Sequence, residues 1–168
     1  MKNFLFITVV LIAITAAHAQ TQSATQSANV NLSVQTALTL TNVRALSFGN
    51  QVQGATGVVV DPVTGGGSTA YFTLTGAPAS QLLTVSWTAS TDLSFTSTTG
   101  TTSIAWTPTV AVNNSTSQTG ATTMTSGGTF NADGTGHLWI WVGGSIASIP
   151  LAAPAGTYQG SITLTVQY

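Results

Sequence analysis

The sequence predicts an all-β protein: an immunoglobulin-like antiparallel β-sandwich of about seven to ten strands. Three observations lead there. Apolar and polar residues alternate with a period of two through most of the chain, and the part after the leader shows no convincing 3.6 period. Gly, Asn and Pro turn signals divide these runs at intervals of about ten residues. Only 3% of residues are charged and Glu is absent, so strong helix formers are scarce, while 43% are hydrophobic, which argues against disorder.

The elements follow in order. Val30, Leu32, Val34, Leu38 and Leu40 alternate with polar residues and predict a strand, with a break or bend at 35–37 around Thr36. Residues 45–48 predict a short strand ending at the Gly49-Asn50 turn. Val58, Val59 and Val60 form the next, closed by Pro62 and the run Gly65-Gly66-Gly67. Phe72 and Leu74 share one face of a strand over 70–75, and Leu83, Val85 and Trp87 share one face over 82–88. Leu93 and Phe95 mark a short strand. Ile104 with Trp106, then Val110 with Val112, mark two more, with Pro108 between them. Met124 and Phe130 lie in weaker runs. Leu138, Ile140 and Val142 alternate with Trp139 and Trp141, and a final strand runs over 158–168. There is no internal repeat of solenoid length.

Composition excludes several classes of function. With two basic residues in 168 there is no patch to neutralise phosphates, so nucleic acid is not an expected partner. The absence of Cys removes thiolate chemistry, zinc knuckles and disulfides. No cofactor is expected.

The start of the chain reads as a secretory signal peptide over residues 1–19. Lys2 supplies the positive charge, residues 4–13 the apolar run, and Ala17-His18-Ala19 the small-x-small cleavage site. The mature chain then begins at Gln20, with no membrane span. Residues 20–29 read as a flexible extension and 30–168 as the β-sandwich domain. Export through the Sec route to the periplasm, cell surface or medium is the expected localisation.

The two ends carry the functional expectation. Tyr158, Ile162, Leu164, Val166 and Tyr168 share one side of the last strand, while Val30, Leu32 and Val34 alternate near the start. Such a pair suits β-strand addition, in which one subunit inserts its N-terminal strand beside the C-terminal strand of the next. A sheet edge without Lys or Glu is poorly defended against this pairing.

The segment Ala155-Gly156-Thr157-Tyr158-Gln159-Gly160, with the alternating strand to Tyr168, resembles the closing strand of archaic chaperone–usher pilins and of spore-coat-protein-U-like domains. Leu46-Ser47-Phe48-Gly49, Phe72-Thr73-Leu74-Thr75-Gly76, Val142-Gly143-Gly144 and the C-terminal motif together resemble a secreted bacterial family, domain of unknown function 4402, over about residues 30–168. That resemblance implies a small β-sandwich at the bacterial surface with no assigned reaction. The shared C-terminal motif implies pilus-like assembly, with self-association and a periplasmic chaperone as partners. Archaic pilins commonly carry a disulfide, and this chain has no Cys.

Other chemistry is thinly represented. His137 and Asp133 are candidates for a triad with a Ser, yet they sit in a Gly-rich turn sequence and no Gly-x-Ser-x-Gly elbow exists. Asp61, Asp92 and Asp133 are dispersed, unlike a calcium loop. Thr39 to Thr41 and Thr163 to Thr165 could array hydroxyls, but no sustained Thr-x-Thr repeat follows. Trp139 and Trp141 form a candidate aromatic contact surface, for a neighbouring subunit or a sugar ring, if the aliphatics beside them point inward. The opposite phase buries both. The expectation is therefore a non-enzymatic exported structural subunit of a surface appendage or matrix, pilin-like. The alternative is a monomeric adhesin or carbohydrate-binding module.

Overall fold

The computed structural model describes residues 36–98 and 100–168, together with Leu32 and Val34. The expected signal peptide, the extension over 20–29 and Val30 lie outside the described residues.

Among the described residues there are eleven strands: β1 (Thr39–Arg44), β2 (Thr56–Val60), β3 (Ala70–Thr75), β4 (Leu82–Ala89), β5 (Asp92–Ser97), β6 (Gly100–Ala105), β7 (Thr107–Asn113), β8 (Thr122–Met124), β9 (Gly128–Asn131), β10 (Leu138–Ser148) and β11 (Ile162–Gln167). A six-stranded sheet runs β1-β3-β10-β7-β8, with β2 also pairing β10. A three-stranded sheet runs β11-β4-β9, and β5 and β6 form a hairpin of their own. All pairings are antiparallel. The fold is an all-β sandwich, as the alternation predicts.

The central strand is β10. Its first half pairs β3 and its second half pairs β2, so both lie along the same edge, while β7 takes the other. Leu138, Ile140 and Val142 point inward and are fully buried. They meet Phe72 and Leu74 of β3, Val110 and Val112 of β7, and Leu83 and Val85 of β4 across the sandwich. Ile162, Leu164 and Val166 of β11 pack on the same core from its edge. A second core gathers Ile104, Trp106, Ile146, Ile149 and Ala153, with Phe48, Leu93 and Tyr158 against it.

Three expectations are corrected. Residues 45–48 are not a strand: Leu46 and Phe48 reach the cores, but the backbone has no ladder partner there, and the Ser47 amide bonds the Ser68 carbonyl instead. Pro108 is not the break between strands. It lies inside β7 opposite Gly144, and the break falls at Trp106. Proline is tolerated there because β8 pairs only with 110–112, leaving that side of residue 108 without a ladder. The last strand spans 162–167 rather than 158–168. Gln159 pairs with Ser94 of β5, and the chain joins β4 only from Ile162. The first described strand begins at Thr39; Thr36, where the break is expected, donates its hydroxyl to the Gly76 carbonyl.

A bulge at Asn42 to Arg44 sets the polarity of the β1 end. Arg44, not Val43, stands opposite Tyr71, and Val43 is left exposed. An extra residue in one strand re-aims the side chains beyond it. It carries Arg44 to the outer face of the larger sheet, where its guanidinium lies 6.0 Å from the Tyr71 ring centre.

Candidate functional site

A groove of about 1110 Å³ opens beside the second core. Its floor is Phe72, Leu93, Ile104, Trp106, Ile146 and Ile149. One wall is the irregular segment 45–53 and the other is 153–162, which leads into β11. No lining residue is charged. Trp106 is set by an edge-on contact with Phe48, with ring centres 6.1 Å apart, and by Gly144 beneath it, where an added Cβ would lie 3.0 Å from the indole. The 153–162 wall is held by the Gln159–Ser94 backbone pair, by the Tyr158 hydroxyl donating to Pro154 O at 3.0 Å, and by Tyr158 against Phe95 with centres 5.5 Å apart. Gly156 permits this close approach, because a Cβ there would lie 2.5 Å from the Phe95 ring.

The walls differ from ordinary strands. Gln51 donates to Phe48 O and Gln53 to Ala153 O, so two side chains tie down loop carbonyls that no ladder satisfies. Beyond the groove, β11 pairs β4 on one side and has no strand on its other edge among the described residues. Tyr168 is 41% exposed, and its hydroxyl donates to Thr36 O at 3.2 Å. Of the expected C-terminal set, Ile162, Leu164 and Val166 are half-buried in the core; Tyr158 belongs to the groove wall. Leu32 and Val34 are 85% and 84% exposed, outside any strand.

Sequence reasoning missed the groove. Its floor comes from four separate strands, the β6–β7 junction at Trp106 and Ile149, so no local spacing announces it. The only local signal was the run 45–53, which starts apolar and alternating and then loses its pattern at Gly49-Asn50.

Trp139 and Trp141 lie on the outer face, since the aliphatics between them point inward. They do not present two open rings. Trp141 is 3% exposed and stacks on Tyr71 at 5.4 Å between centres, covered by Val63 and Ala121 from two loops. Burial pushes the Tyr71 phenol above its ordinary pKa, with Arg44 opposing the shift. The covering loops are fastened by Arg44 and Gln118, which meet at fully buried Thr69. Trp139 is half-buried and stacks on His137, with centres 5.7 Å apart.

Asp133 and His137 build a turn. Asp133 Oδ1 accepts from the amides of Thr135 and His137, both at 2.8 Å. These bonds, the His137 amide foremost, hold the carboxyl below its usual range. The Thr135 hydroxyl contacts both Asp133 and His137 Nδ1, the latter at 2.6 Å. In a catalytic relay the imidazole stands between hydroxyl and carboxylate. Here the hydroxyl bridges the other two, which is the geometry of a capped turn. Asp61 likewise caps a turn, accepting from the amides of Val63 and Thr64. No three His, Cys, Asp or Glu converge on one point among the described residues. No helix among them is long and apolar enough to cross a membrane.

Among curated proteins, none matches the chain. A family model matches residues 38–168, which takes in every strand among the described residues and both walls of the groove. The chain therefore belongs to the family described as domain of unknown function, DUF4402.

Proposed function

We propose that this protein is a non-enzymatic, exported structural subunit of a bacterial surface appendage or matrix, and that copies join by strand donation. The donor is the segment around Val30, Leu32 and Val34 of one copy. The acceptor is the groove between 45–53 and 153–162 of the next, beside β11. A periplasmic chaperone would hold the groove before assembly.

The observation that supports this reading most is the match between groove and segment. The groove has an apolar floor and no charged lining residue. Residues 20–34 carry no charged side chain and alternate apolar side chains near their end. An extended peptide can use such a surface through backbone hydrogen bonds and alternate side-chain pockets. In extended form residues 20–34 reach about 50 Å, enough to leave one copy and lie along another.

The test is a gel of the exported protein in SDS, with and without boiling, beside a variant lacking residues 20–34. The full chain gives a ladder of high-mass bands that collapses on boiling, and the truncated chain gives monomer alone. A single monomer band in every lane refutes strand donation.

A further inference from the structure

The point where the donor segment leaves the domain and the groove lie at opposite ends of the strands. Thr36 is pinned at one end: its hydroxyl donates to Gly76 O, just past β3, and its carbonyl accepts from Tyr168, just past β11. From there β1 runs antiparallel to β3, from Thr39 opposite Thr75 to Arg44 opposite Tyr71, and leads into the 45–53 wall of the groove. Strand β11 spans the same interval, with Ile162 lining the groove and Tyr168 reaching Thr36.

Reach then decides which groove the segment can fill. Asn42 is the first groove-lining residue after Thr36, and six extended residues place it about 20 Å away. Measured from Thr36 in the other direction, Val34 extends at most about 7 Å, Leu32 about 14 Å and Val30 about 20 Å. Folded back on its own domain, the segment brings Val30 only to the near rim, and Leu32 and Val34 fall short. What reaches the floor in the same chain is residues 20–29, which hold no apolar side chain larger than Ala. A second copy removes the conflict, because its Thr36 end can abut the groove end directly. Val52 and Leu151 stand exposed at that groove end, with Leu151 against Gly54, and such a copy covers them.

Orientation follows from the same layout. The donor's Val34 stays at the mouth of the groove, close to its own domain, while Val30 lies deeper, towards the acceptor's Tyr168. The donor therefore runs antiparallel to β11, whereas a segment folded back on its own domain runs parallel to it. A contact between two different ends is heterologous, so each added copy leaves one donor and one groove free.

We propose that the occupant of the groove is a second copy and not the chain's own segment, that the donated strand lies antiparallel to β11, and that copies stack head to tail into an open filament. This rests on the strand-donation reading and adds the partner's direction to it.

Four double cysteine variants of the exported full chain, which has no Cys of its own, test it. Asn29 and Ser33 alternate with the apolar donor residues, and Ser161 and Thr165 are exposed and alternate with Ile162, Leu164 and Val166, so all four face away from the core. Ser33→Cys/Ser161→Cys and Asn29→Cys/Thr165→Cys match the antiparallel alignment. Asn29→Cys/Ser161→Cys and Ser33→Cys/Thr165→Cys match the parallel one. After oxidation and boiling without reductant, the antiparallel pairs give ladders beyond dimer and exceed the parallel pairs severalfold. Excess in the parallel pairs, cross-links confined to the monomer band, a ladder that stops at dimer, or no cross-link in any pair overturns the arrangement. The unboiled ladder of the unsubstituted chain separates the two readings: its absence overturns strand donation as well, and its presence beside any of those outcomes overturns the arrangement alone.

Discussion

Ile140→Ala destabilises the domain by about 3 kcal/mol and lowers its melting temperature by roughly 10 °C. Ile140 is fully buried in the first half of β10, with Phe72 opposite on β3 and Val112 opposite on β7. Truncation removes its transfer free energy and leaves a cavity that four strands from two sheets cannot close without shifting register. The chain has no disulfide to limit the loss, and domains of this size hold only about 5–15 kcal/mol in total. Thermal melts followed by far-UV circular dichroism measure it. A loss below about 1 kcal/mol would mean that β10 is not the centre of the core. The same truncation at neighbouring Trp139, half-buried on the other face, costs less.

Arg44→Ala has the second largest effect, about 2–3 kcal/mol. Arg44 is the one Lys or Arg among the described residues. Its Nε donates to Thr69 O at 2.8 Å, and its Nη2 donates to Gly66 O at 2.7 Å and to Thr69 Oγ1 at 3.0 Å. Thr69 is fully buried, so truncation leaves its carbonyl without that donor and loosens the 61–69 loop over Trp141. Arg44→Lys does not restore the loss, because a point-like ammonium cannot serve three acceptors in a planar fork. Urea unfolding reads the stability, and tryptophan emission reads the loosening as a red shift. Rescue by Lys, or a melt identical to wild type, would contradict this role.

The parts of the fold legible in the sequence are those where one face is buried and alternation is strict. Strands β3, β4 and β10 lie where Phe72 and Leu74, Leu83 and Val85, and Leu138 to Val142 place them. Errors cluster where pairing changes partner. Residues 45–48 alternate like a strand but serve two cores with no ladder neighbour. The final strand is shortened because Gln159 pairs with β5 before the chain reaches β4. Whether Trp139 and Trp141 are open depended on loops 61–69 and 114–121 folding back over the sheet, which no periodicity reports. The groove, likewise, is a product of topology: its apolar floor residues each read as ordinary core.

The most direct test of the assembly account uses the absence of cysteine from the chain. Leu32→Cys places a thiol on the donor segment, and Ala155→Cys places one on the exposed groove wall. The exported double variant is oxidised and run on a boiled SDS gel with and without reductant, beside each single variant. Donation between copies predicts a ladder beyond dimer that survives boiling, disappears with reductant, and is absent from either single variant. A disulfide confined to the monomer band, or an unboiled ladder that forms with no cross-link at this pair, would contradict an acceptor groove filled by the next copy.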